Sequence, residues 1–455
     1  MNLQNSLEKI NSKNCIIEIF GLGYVGFPLL VKLAISGFKL VGIDKDSDKL
    51  KRIEREELVE SELNLKKEFL EVLHTDKISL SQQSNKSDKA RLAIICVPTP
   101  IPSTSTKSDV FVIEAIENFL ENAKNGDIII IESSIEVGIT DKMKEIINSK
   151  GFIVGKDIGL SFCPERIDPQ NKKWQLENIP RIIYCSDDLT FEICKVIYSH
   201  INNSNLKRVN SAKVAEVVKS FENTFRLVNI SLVNELAILC DKLGINVKDV
   251  LEAASTKPFG FMPFYPSAGA GGHCIPKDPR FLLESAKKHG LDFSTLQNAL
   301  RVNTIMPKYV VDSVDKMLTE LKLEKSVIIC GLSYKPDIED MRDSPGFKIL
   351  KEFRAKGYKI VACDPYFKQE MQEKYLIENN MVGIKFDVIP NLEDKNIKGF
   401  SCLCLVQNHT KQMFRINKIY RNAIIPFIYD CQRKLVKNFE AKTVLKSLGS
   451  SFFTN

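Results

Sequence analysis

Long uninterrupted apolar runs are missing from this 455-residue sequence. A membrane-spanning helix needs roughly 18 or more consecutive apolar residues without charge, and no segment provides them. The first residues, Met1 to Lys13, are polar and lack the apolar stretch of a secretory signal peptide. The sequence therefore predicts a soluble, cytoplasmic protein that has no membrane partner.

Strong charge of one sign is also missing. The formal net charge is only +7, and no block of lysine and arginine with interleaved aromatic residues occurs. Proteins that bind nucleic acids usually carry such basic patches, so we expect no nucleic-acid partner. The mild positive excess is compatible with a small anionic substrate.

Paired cysteine motifs are absent, although the chain contains 12 cysteines. Most of them lie inside apolar runs such as Ala93–Val97, where a thiol behaves as a small hydrophobic group. A disulfide scaffold and a metal site are therefore both disfavoured. Reduced thiols in a cytosolic enzyme are the better interpretation.

Short apolar runs alternate with helical segments at both ends of the chain. Such runs predict strands of parallel sheets that are covered by helices on both faces. We expect two Rossmann-like, doubly wound α/β domains over residues 1–205 and 316–455, bridged by a central helical domain over residues 206–315. The predicted strands are 15–20, 39–43, 92–97, 128–131, 159–162, 181–184, 326–330, 359–362, 401–406 and 424–429.

One long helix is predicted in the central segment. No glycine or proline occurs between Leu206 and Leu243, and Gly244 supplies a stop signal. Apolar residues recur there at steps of three and four, which places them on one helical face. We expect this face to pack against a second copy of the chain in a homodimer. The residues are Val214, Val217, Phe221, Phe225, Val228, Leu232, Leu236 and Leu239.

A glycine-rich turn, Gly21-Leu-Gly-Tyr-Val-Gly26, lies between the first predicted strand and the first helix. Its glycines permit a tight turn, close approach of a pyrophosphate and close packing of the helix on the strand. Amides at the helix start would face the phosphates. Asp44 ends the second strand, where a carboxylate can accept ribose hydroxyls and would repel a 2′-phosphate. The turn therefore predicts binding of NAD rather than NADP, and a turn used only for packing is the alternative.

A second glycine-rich segment, Ser267–Pro279, surrounds Cys274 with little side-chain bulk. A thiolate is a strong nucleophile when a nearby cation lowers its pKa, and Lys277 and His273 are candidates for that cation. The alternative is a structural cysteine, which suits the other eleven better than this one. His273 is assigned no catalytic role.

Several motifs together resemble the UDP-glucose/GDP-mannose dehydrogenase family. They are the turn at 21–26, Val-Pro-Thr-Pro at 97–100, Glu-Ser-Ser at 132–134, Cys-Pro-Glu-Arg at 163–166, Lys219 with Asn223, Gly-Gly-His-Cys at 271–274 and Gly-Leu-Ser-Tyr-Lys-Pro-Asp at 331–337. The resemblance implies a four-electron, NAD-dependent oxidation of the C6 alcohol of a sugar nucleotide to a carboxylate. It also implies a role in supplying precursors of surface polysaccharides.

Within the family, the segment 257–266 and the His-Cys-Ile-Pro form are similar to the branch of UDP-N-acetyl-D-glucosamine 6-dehydrogenases. Lys277-Asp278 is instead similar to the UDP-glucose branch. UDP-GlcNAc is the expected substrate, and UDP-GalNAc, UDP-ManNAc and UDP-glucose stay open.

The resemblance also implies roles for individual residues. Cys274 would form a thiohemiacetal and then a thioester, and Glu165 would act as the base in thioester hydrolysis. Lys219 and Asn223 would contact the reacting oxygen, and Asp278 would position the lysine or activate water. Ser134, which replaces the usual threonine, would hold a water or touch the cofactor. Implied cofactor contacts are Gly21, Gly23, Tyr24, Val25, Gly26, Asp44, Lys49, Thr99, Ser134, Lys277 and Arg342. Implied substrate contacts are Glu165, Arg166, Lys219, Asn223, Arg226, Phe264, Tyr265, Gly271, Tyr334 and Lys335.

Two other functions compete with this interpretation. A two-electron NAD oxidoreductase on the same scaffold would leave Cys274 structural and would yield one NADH per sugar instead of two. A non-catalytic protein that senses NAD or a sugar nucleotide would need a broken site, yet every residue implied for catalysis is present.

Overall fold

The computed structural model describes residues 2–58, 65–100, 108–167, 171, 173–203, 205–436 and 441–450. The chain forms two compact units, Met1–Glu222 with Arg280–His289 and Asn223–Pro279 with Gly290–Asn455. Within these described ranges, each unit contains one β-sheet. Among the helices in the described ranges, none combines the length and apolar character needed to cross a bilayer.

The first unit contains eight strands among its described residues. They are β1 (Cys15–Phe20), β2 (Lys39–Ile43), β3 (Ile78–Ser81), β4 (Ala90–Ile95), β5 (Ile128–Ile131), β6 (Gly159–Phe162), β7 (Arg181–Cys185) and β8 (Leu206–Arg208). Its helices are α1 (Leu3–Asn11), α2 (Gly26–Ile35), α3 (Ser47–Glu54), α4 (Lys66–Leu73), α5 (Val110–Leu120), α6 (Ile139–Ser149) and α7 (Asp188–Asn202).

The strand order of the first sheet is β3-β2-β1-β4-β5-β6-β7-β8. The first six strands follow the order of a Rossmann dinucleotide-binding fold, whose ligands bind where the strand order reverses, here beside the carboxyl ends of β1 and β4. Every residue of β4 and β5 is buried, because apolar clusters cover both faces of the sheet. Strand β7 pairs antiparallel with β6, whereas the other strand pairs of this sheet are parallel.

The second unit contains a six-stranded parallel sheet with the order β11-β10-β9-β12-β13-β14. Its strands are β9 (Ser326–Cys330), β10 (Lys359–Cys363), β11 (Asp387–Ile389), β12 (Cys402–Leu405), β13 (Phe427–Asp430) and β14 (Val444–Ser447). Two helices, α8 (Ala212–Leu243) and α10 (Asp278–Lys288), contain residues of both units. The remaining helices are α9 (Val247–Ala254), α11 (Ser294–Glu320), α12 (Pro345–Ala355), α13 (Gln372–Glu378), α14 (Asp394–Ile397) and α15 (Thr410–Arg421).

The predicted architecture of two doubly wound sheets and a long central helix is confirmed. Two details differ. Residues Leu206–Arg208 form β8, so the long helix begins only at Ala212, and β7 runs antiparallel to β6. The strands missed by sequence are β3, β8, β11 and β14, which lie at the four sheet edges. Edge strands are partly exposed and so carry no continuous apolar run.

The apolar stripe predicted on α8 points mostly away from the chain's own core. Six of its eight members are exposed, and Val228 and Leu236 are half-buried. The buried face of the helix instead carries small and polar residues, among them Ala215, Lys219, Asn234 and Ala237. The side of α8 that packs within the chain is therefore the less hydrophobic one.

Candidate active site

The glycine turn follows β1 and leads into α2. Gly21 has φ +87°, a left-handed conformation that favours glycine. A Cβ atom at Gly26 would overlap the Gly21 carbonyl oxygen, whereas a Cβ at Gly23 would meet no atom within 4 Å. The first and third glycines are thus required by the turn itself. The second leaves open space over the backbone, which fits the pyrophosphate of a dinucleotide.

Asp44 directly follows β2 and accepts a hydrogen bond from the backbone of the glycine turn. Its carboxylate accepts hydrogen bonds from the amides of Leu22 (2.9 Å) and Asp46 (3.1 Å). Lys49 Nζ donates to the same carboxylate at 2.7 Å. The structure therefore brings together the glycine turn and two of the four charged residues that the sequence predicted at the cofactor, Asp44 and Lys49.

The loops after β4 and β5 carry two more predicted residues. Thr99 is buried and Ser134 is half-buried. Ser133, which sequence reasoning passed over, donates its hydroxyl hydrogen bond to the Val97 carbonyl at 2.7 Å and so ties the two loops together. Tyr24 is exposed, and Val25 lies at the N-terminal cap of α2.

Glu165, which comes shortly after β6, belongs to a mostly buried polar cluster with Glu132, Arg181 and Tyr198. Its carboxylate accepts from the Ile167 amide (2.7 and 2.6 Å), and Arg181 Nη2 lies 4.0 Å from its Oε1. Arg181 Nη1 donates to Glu132 Oε1 at 2.8 Å, and the Tyr198 hydroxyl donates to the same oxygen at 2.5 Å. Burial raises the pKa of Glu132, and attraction to Arg181 opposes that rise.

Sequence reasoning missed Arg181 and Tyr198. The available signal was an arginine that opens an otherwise apolar strand. Arg166, expected to contact substrate, forms an ion pair with Glu222 and donates to the Pro180 carbonyl at 2.7 Å. The described structure therefore gives Arg166 partners within its own unit.

In the second unit, the cysteine loop lies against the segment that follows β9. A Cβ at Gly271 would lie 2.6 Å from the Asp343 carbonyl oxygen, and one at Gly272 would lie 2.6 Å from the Tyr334 ring. The Gly272 amide also donates to the Arg342 carbonyl at 3.0 Å. The glycines are therefore needed for close backbone approach.

Cys274 is the only exposed cysteine of the chain. The guanidinium of Arg342 is held by two hydrogen bonds to Asp340, at 2.9 and 2.6 Å. Burial opposes ionisation of Arg342, but Asp340 raises its pKa, and Tyr334 and Cys274 raise it less strongly. A cation close to a thiol favours the thiolate form. Arg342 thus joins Lys277 and His273 as a candidate for this role.

Asn223 and Asp278 meet directly, since Asn223 Nδ2 donates to Asp278 Oδ2 at 2.7 Å. Lys277 Nζ lies 3.3 Å from Asp278 Oδ1, and both side chains are buried. The Cys274 carbonyl accepts from the amides of Lys277 and Asp278, at 3.2 and 2.9 Å. Lys219, one turn before Asn223 on α8, is also buried.

Two asparagines that the sequence analysis did not single out fix the start of the cysteine loop. Asn234 Oδ1 accepts from the Ser267 amide at 2.9 Å. Asn303 on α11 pairs with Ala270, accepting from its amide (2.6 Å) and donating to its carbonyl (2.9 Å). Asn234 shares a helix face with Asn223, roughly three turns away, and this spacing could have revealed it.

The other residues implied at the substrate occupy loops and helix surfaces. Phe264 packs edge-on against Phe225 with ring centroids 6.0 Å apart, and Tyr265 and Arg226 are exposed. The Tyr334 carbonyl accepts from Gln407, and the Lys335 carbonyl accepts from Ser333. The exposed aromatic residues of the 259–265 loop, Phe259, Phe261 and Tyr265, are not part of the core.

Three family models match the chain in succession. They describe the NAD binding domain (residues 15–202), the central domain (213–305) and the UDP binding domain (328–437) of the UDP-glucose/GDP-mannose dehydrogenase family. The chain belongs to this family. It is accordingly an NAD-dependent oxidoreductase of the nucleotide-sugar dehydrogenase class.

Individual relatives agree with the family assignment. A UDP-N-acetyl-D-mannosamine dehydrogenase of Methanococcus aeolicus is 32% identical over 90% of this chain and 88% of its own. A UDP-N-acetyl-D-glucosamine 6-dehydrogenase of Pseudomonas aeruginosa is 30% identical over 79% of this chain and 84% of its own. The solved structure of a UDP-D-ManNAc dehydrogenase from Pyrococcus horikoshii superposes with a TM-score of 0.81 and 28% identity, covering 96% of this chain and 99% of that one.

Proposed function

We propose that this enzyme oxidises the C6 hydroxyl of a UDP-N-acetylhexosamine to the carboxylate, using two NAD per sugar and a covalent intermediate on Cys274. The observation that carries the proposal is the placement of Cys274. It is the one exposed thiol among twelve, it lies in a glycine-lined loop, and a guanidinium interacts with it. A structural cysteine needs none of these features.

NAD, held by the glycine turn at 21–26 and Asp44, would supply the hydride acceptor for both oxidations. The chain's own residues do the remaining chemistry. The Cys274 thiolate adds to the C6 aldehyde, and Lys219 and Asn223 stabilise the oxyanion that forms. After the second oxidation, Glu165 accepts a proton from the water that attacks the thioester, and Cys274 leaves as a thiolate. Asp278 accepts a hydrogen bond from Asn223 and lies beside Lys277, and its role would be to orient Lys219 and Asn223.

The N-acetylhexosamine part of the proposal is supported by the names of the relatives, which act on UDP-ManNAc or UDP-GlcNAc. The sequence of residues 257–266 points to the same substrate class. The two sugars differ only in configuration at C2, so one loop side chain can decide between them. UDP-ManNAc is the first substrate to test, followed by UDP-GlcNAc, UDP-GalNAc and UDP-glucose.

The test counts NADH per sugar for these four substrates and compares Cys274→Ser with Cys240→Ser. Cys240 is a buried cysteine on α8 and serves as the matched control. We expect two NADH per sugar, and a loss of acid formation of at least about a thousandfold in Cys274→Ser only. One NADH per sugar would support the two-electron alternative instead, and normal acid release by Cys274→Ser would contradict the covalent intermediate on Cys274. Tight NAD binding without any turnover would support the sensor alternative.

We also propose a homodimer in which the exposed stripe of α8 is covered by a second copy. Six exposed apolar side chains on one helix face form a patch that soluble monomers rarely leave uncovered. Light scattering of the purified enzyme tests this. A mass of about twice the 51.5 kDa chain is expected, and a monomer would contradict the proposal.

The domain boundaries 1–205, 206–315 and 316–455 are likewise proposed, and the ranges of the three family models support them. We propose a cytoplasmic location, which the twelve free cysteines support.

A further inference from the structure

The first unit contains two arginines whose side chains are completely buried, Arg91 and Arg181. Arg91 uses all three guanidinium nitrogens. Nε donates to Glu18 at 2.8 Å, Nη1 to the Asn122 carbonyl at 2.6 Å, and Nη2 to the Ser84 hydroxyl. This arginine is fully satisfied by its surroundings, as a structural buried cation should be.

Arg181 differs. The hydrogen bonds of its side chain come from Nη1 alone, to Glu132 Oε1 at 2.8 Å and to Cys163 Sγ at 3.8 Å. Nε and Nη2 make no hydrogen bond within the described part of the chain. A buried donor without an acceptor destabilises the folded protein, and it does so more strongly when the donor is charged. A role in stability alone gives no reason to keep this arrangement.

The free side of Arg181 faces Glu165, because Nη2 lies 4.0 Å from Glu165 Oε1. The opposite side is fixed: Glu132 is buried and is itself held by the Tyr198 hydroxyl, and the Tyr198 ring lies 4.8 Å from the guanidinium carbon. Glu165 is the only carboxylate of this cluster with any appreciable exposure, 12% of its side chain against 0% for Glu132. The buried cation therefore points toward the end of the cluster that reaches solvent.

We propose that Arg181 is a positioning residue for Glu165 in thioester hydrolysis, which rests on the proposed function. Two contacts orient the Glu165 carboxylate: the hydrogen bond from the Ile167 amide and the charge of Arg181. Glu132 and Tyr198 keep that charge in place. The orientation serves the step in which Glu165 accepts a proton.

Hydrolysis of the thioester consumes one water molecule and regenerates the Cys274 thiolate. The water oxygen bonds to the acyl carbon, the carbon–sulfur bond breaks, and Cys274 departs as a thiolate. The water proton passes to Glu165, which returns it to solvent before the next turnover. Neither hydride transfer involves Glu165. A change at Arg181 should therefore slow the hydrolysis and leave both oxidations intact.

The experiment is rapid mixing of the enzyme with NAD and whichever UDP-N-acetylhexosamine turns over, comparing Arg181→Lys, Glu165→Gln and Arg91→Lys. In Arg181→Lys we expect a burst of two NADH per active site at a rate within about threefold of the unchanged enzyme. Steady turnover should then be about 10–100 times slower. Intact-protein mass spectrometry during turnover should show the acyl group on Cys274. Arg91→Lys, the matched buried control, should lower stability without any burst.

The outcomes separate this inference from the proposed function. A burst in Glu165→Gln but none in Arg181→Lys would overturn the role of Arg181 and leave the proposed function standing. The absence of a burst and of an adduct in both variants would contradict the thioester route itself. Should Arg181→Lys fail to fold, Tyr198→Phe tests the same idea, because it loosens Glu132 while retaining the arginine. A partial burst in Tyr198→Phe supports the inference, and unchanged steady turnover contradicts it.

Discussion

The two units use the same backbone device at the start of their sheets. In the first unit, Gly21 follows the first strand and Asp44 follows the second, with Asp44 bonded to the Leu22 amide. In the second unit, Gly331 has φ +98° after β9, and Asp364 follows β10 and accepts from the Leu332 amide at 2.7 Å. A later glycine packs over the first in both units, since a Cβ at Gly346 would overlap the Gly331 carbonyl oxygen, as one at Gly26 would overlap that of Gly21.

What differs is the partner of each aspartate. Asp44 pairs with Lys49, whose side chain is 30% exposed. Asp364 pairs with His409 Nε2 at 3.0 Å, and neither side chain has any exposure. The His409 Nδ1 accepts from the Asp337 amide at 3.0 Å, so Nε2 carries the hydrogen that Asp364 accepts. Burial alone would raise the pKa of Asp364, but the bond from His409 and the turn amides lower it.

The second position of the turn differs as well. Gly23 leaves open space, whereas its counterpart Ser333 is buried and its hydroxyl lies 3.2 Å from His409 Nε2. The same turn is thus open in the first unit and filled in the second. Because Lys49 is partly exposed, it can turn to solvent and yield the Asp44 carboxylate to the ribose of NAD. A buried histidine cannot, so the Asp364 carboxylate is part of the fold.

The strongest way to test this contrast is to remove each aspartate. Asp364→Ala should destabilise the protein by about 3–5 kcal/mol, because it leaves a buried histidine and two turn amides without their acceptor. Asp44→Ala should cost much less stability but raise the KM for NAD by about tenfold or more, and it should weaken discrimination against NADP. Chemical unfolding and initial rates with each cofactor measure both effects. Equal losses of stability in the two variants would refute the distinction.

The sequence predicted most of the first unit's turn. It also contained the motif at 331–337, but not the equivalence of that motif to the first turn. The spacing of Gly21, Gly23 and Gly26 is a local pattern, and Asp44 follows an apolar run that is easy to recognise. In the second unit, Gly346 comes much later in the chain than Gly331, and a serine replaces the middle glycine. The repeated Gly-Leu start at residues 21 and 331 therefore went unnoticed.

The residues that contact the motif residues could not be predicted from the sequence, for a different reason. The motif residues Cys274, Glu165 and Asn223 were named from sequence, and the structure shows which partners hold them. Those partners, such as Arg181 and Asn303, come from distant parts of the chain. Strand order and helix packing bring them close to the motif residues, and a local sequence pattern predicts neither.

A smaller effect is expected from converting one turn toward the other with Gly23→Ser. A Cβ at residue 23 meets no atom within 4 Å, so the unfolding free energy should change by less than about 1 kcal/mol. The hydroxymethyl group would nevertheless occupy the space that the pyrophosphate needs, and the Kd for NAD should rise by about 10–100-fold.

Calorimetric titration with NAD measures this, with Gly138→Ser as the control, since residue 138 also has open space but precedes α6 instead of α2. That control carries its own backbone cost at φ +96°, so it should lose stability and retain NAD affinity, the reverse of Gly23→Ser. If Gly23→Ser bound NAD normally, the openness of the first turn would not be what distinguishes it from the second.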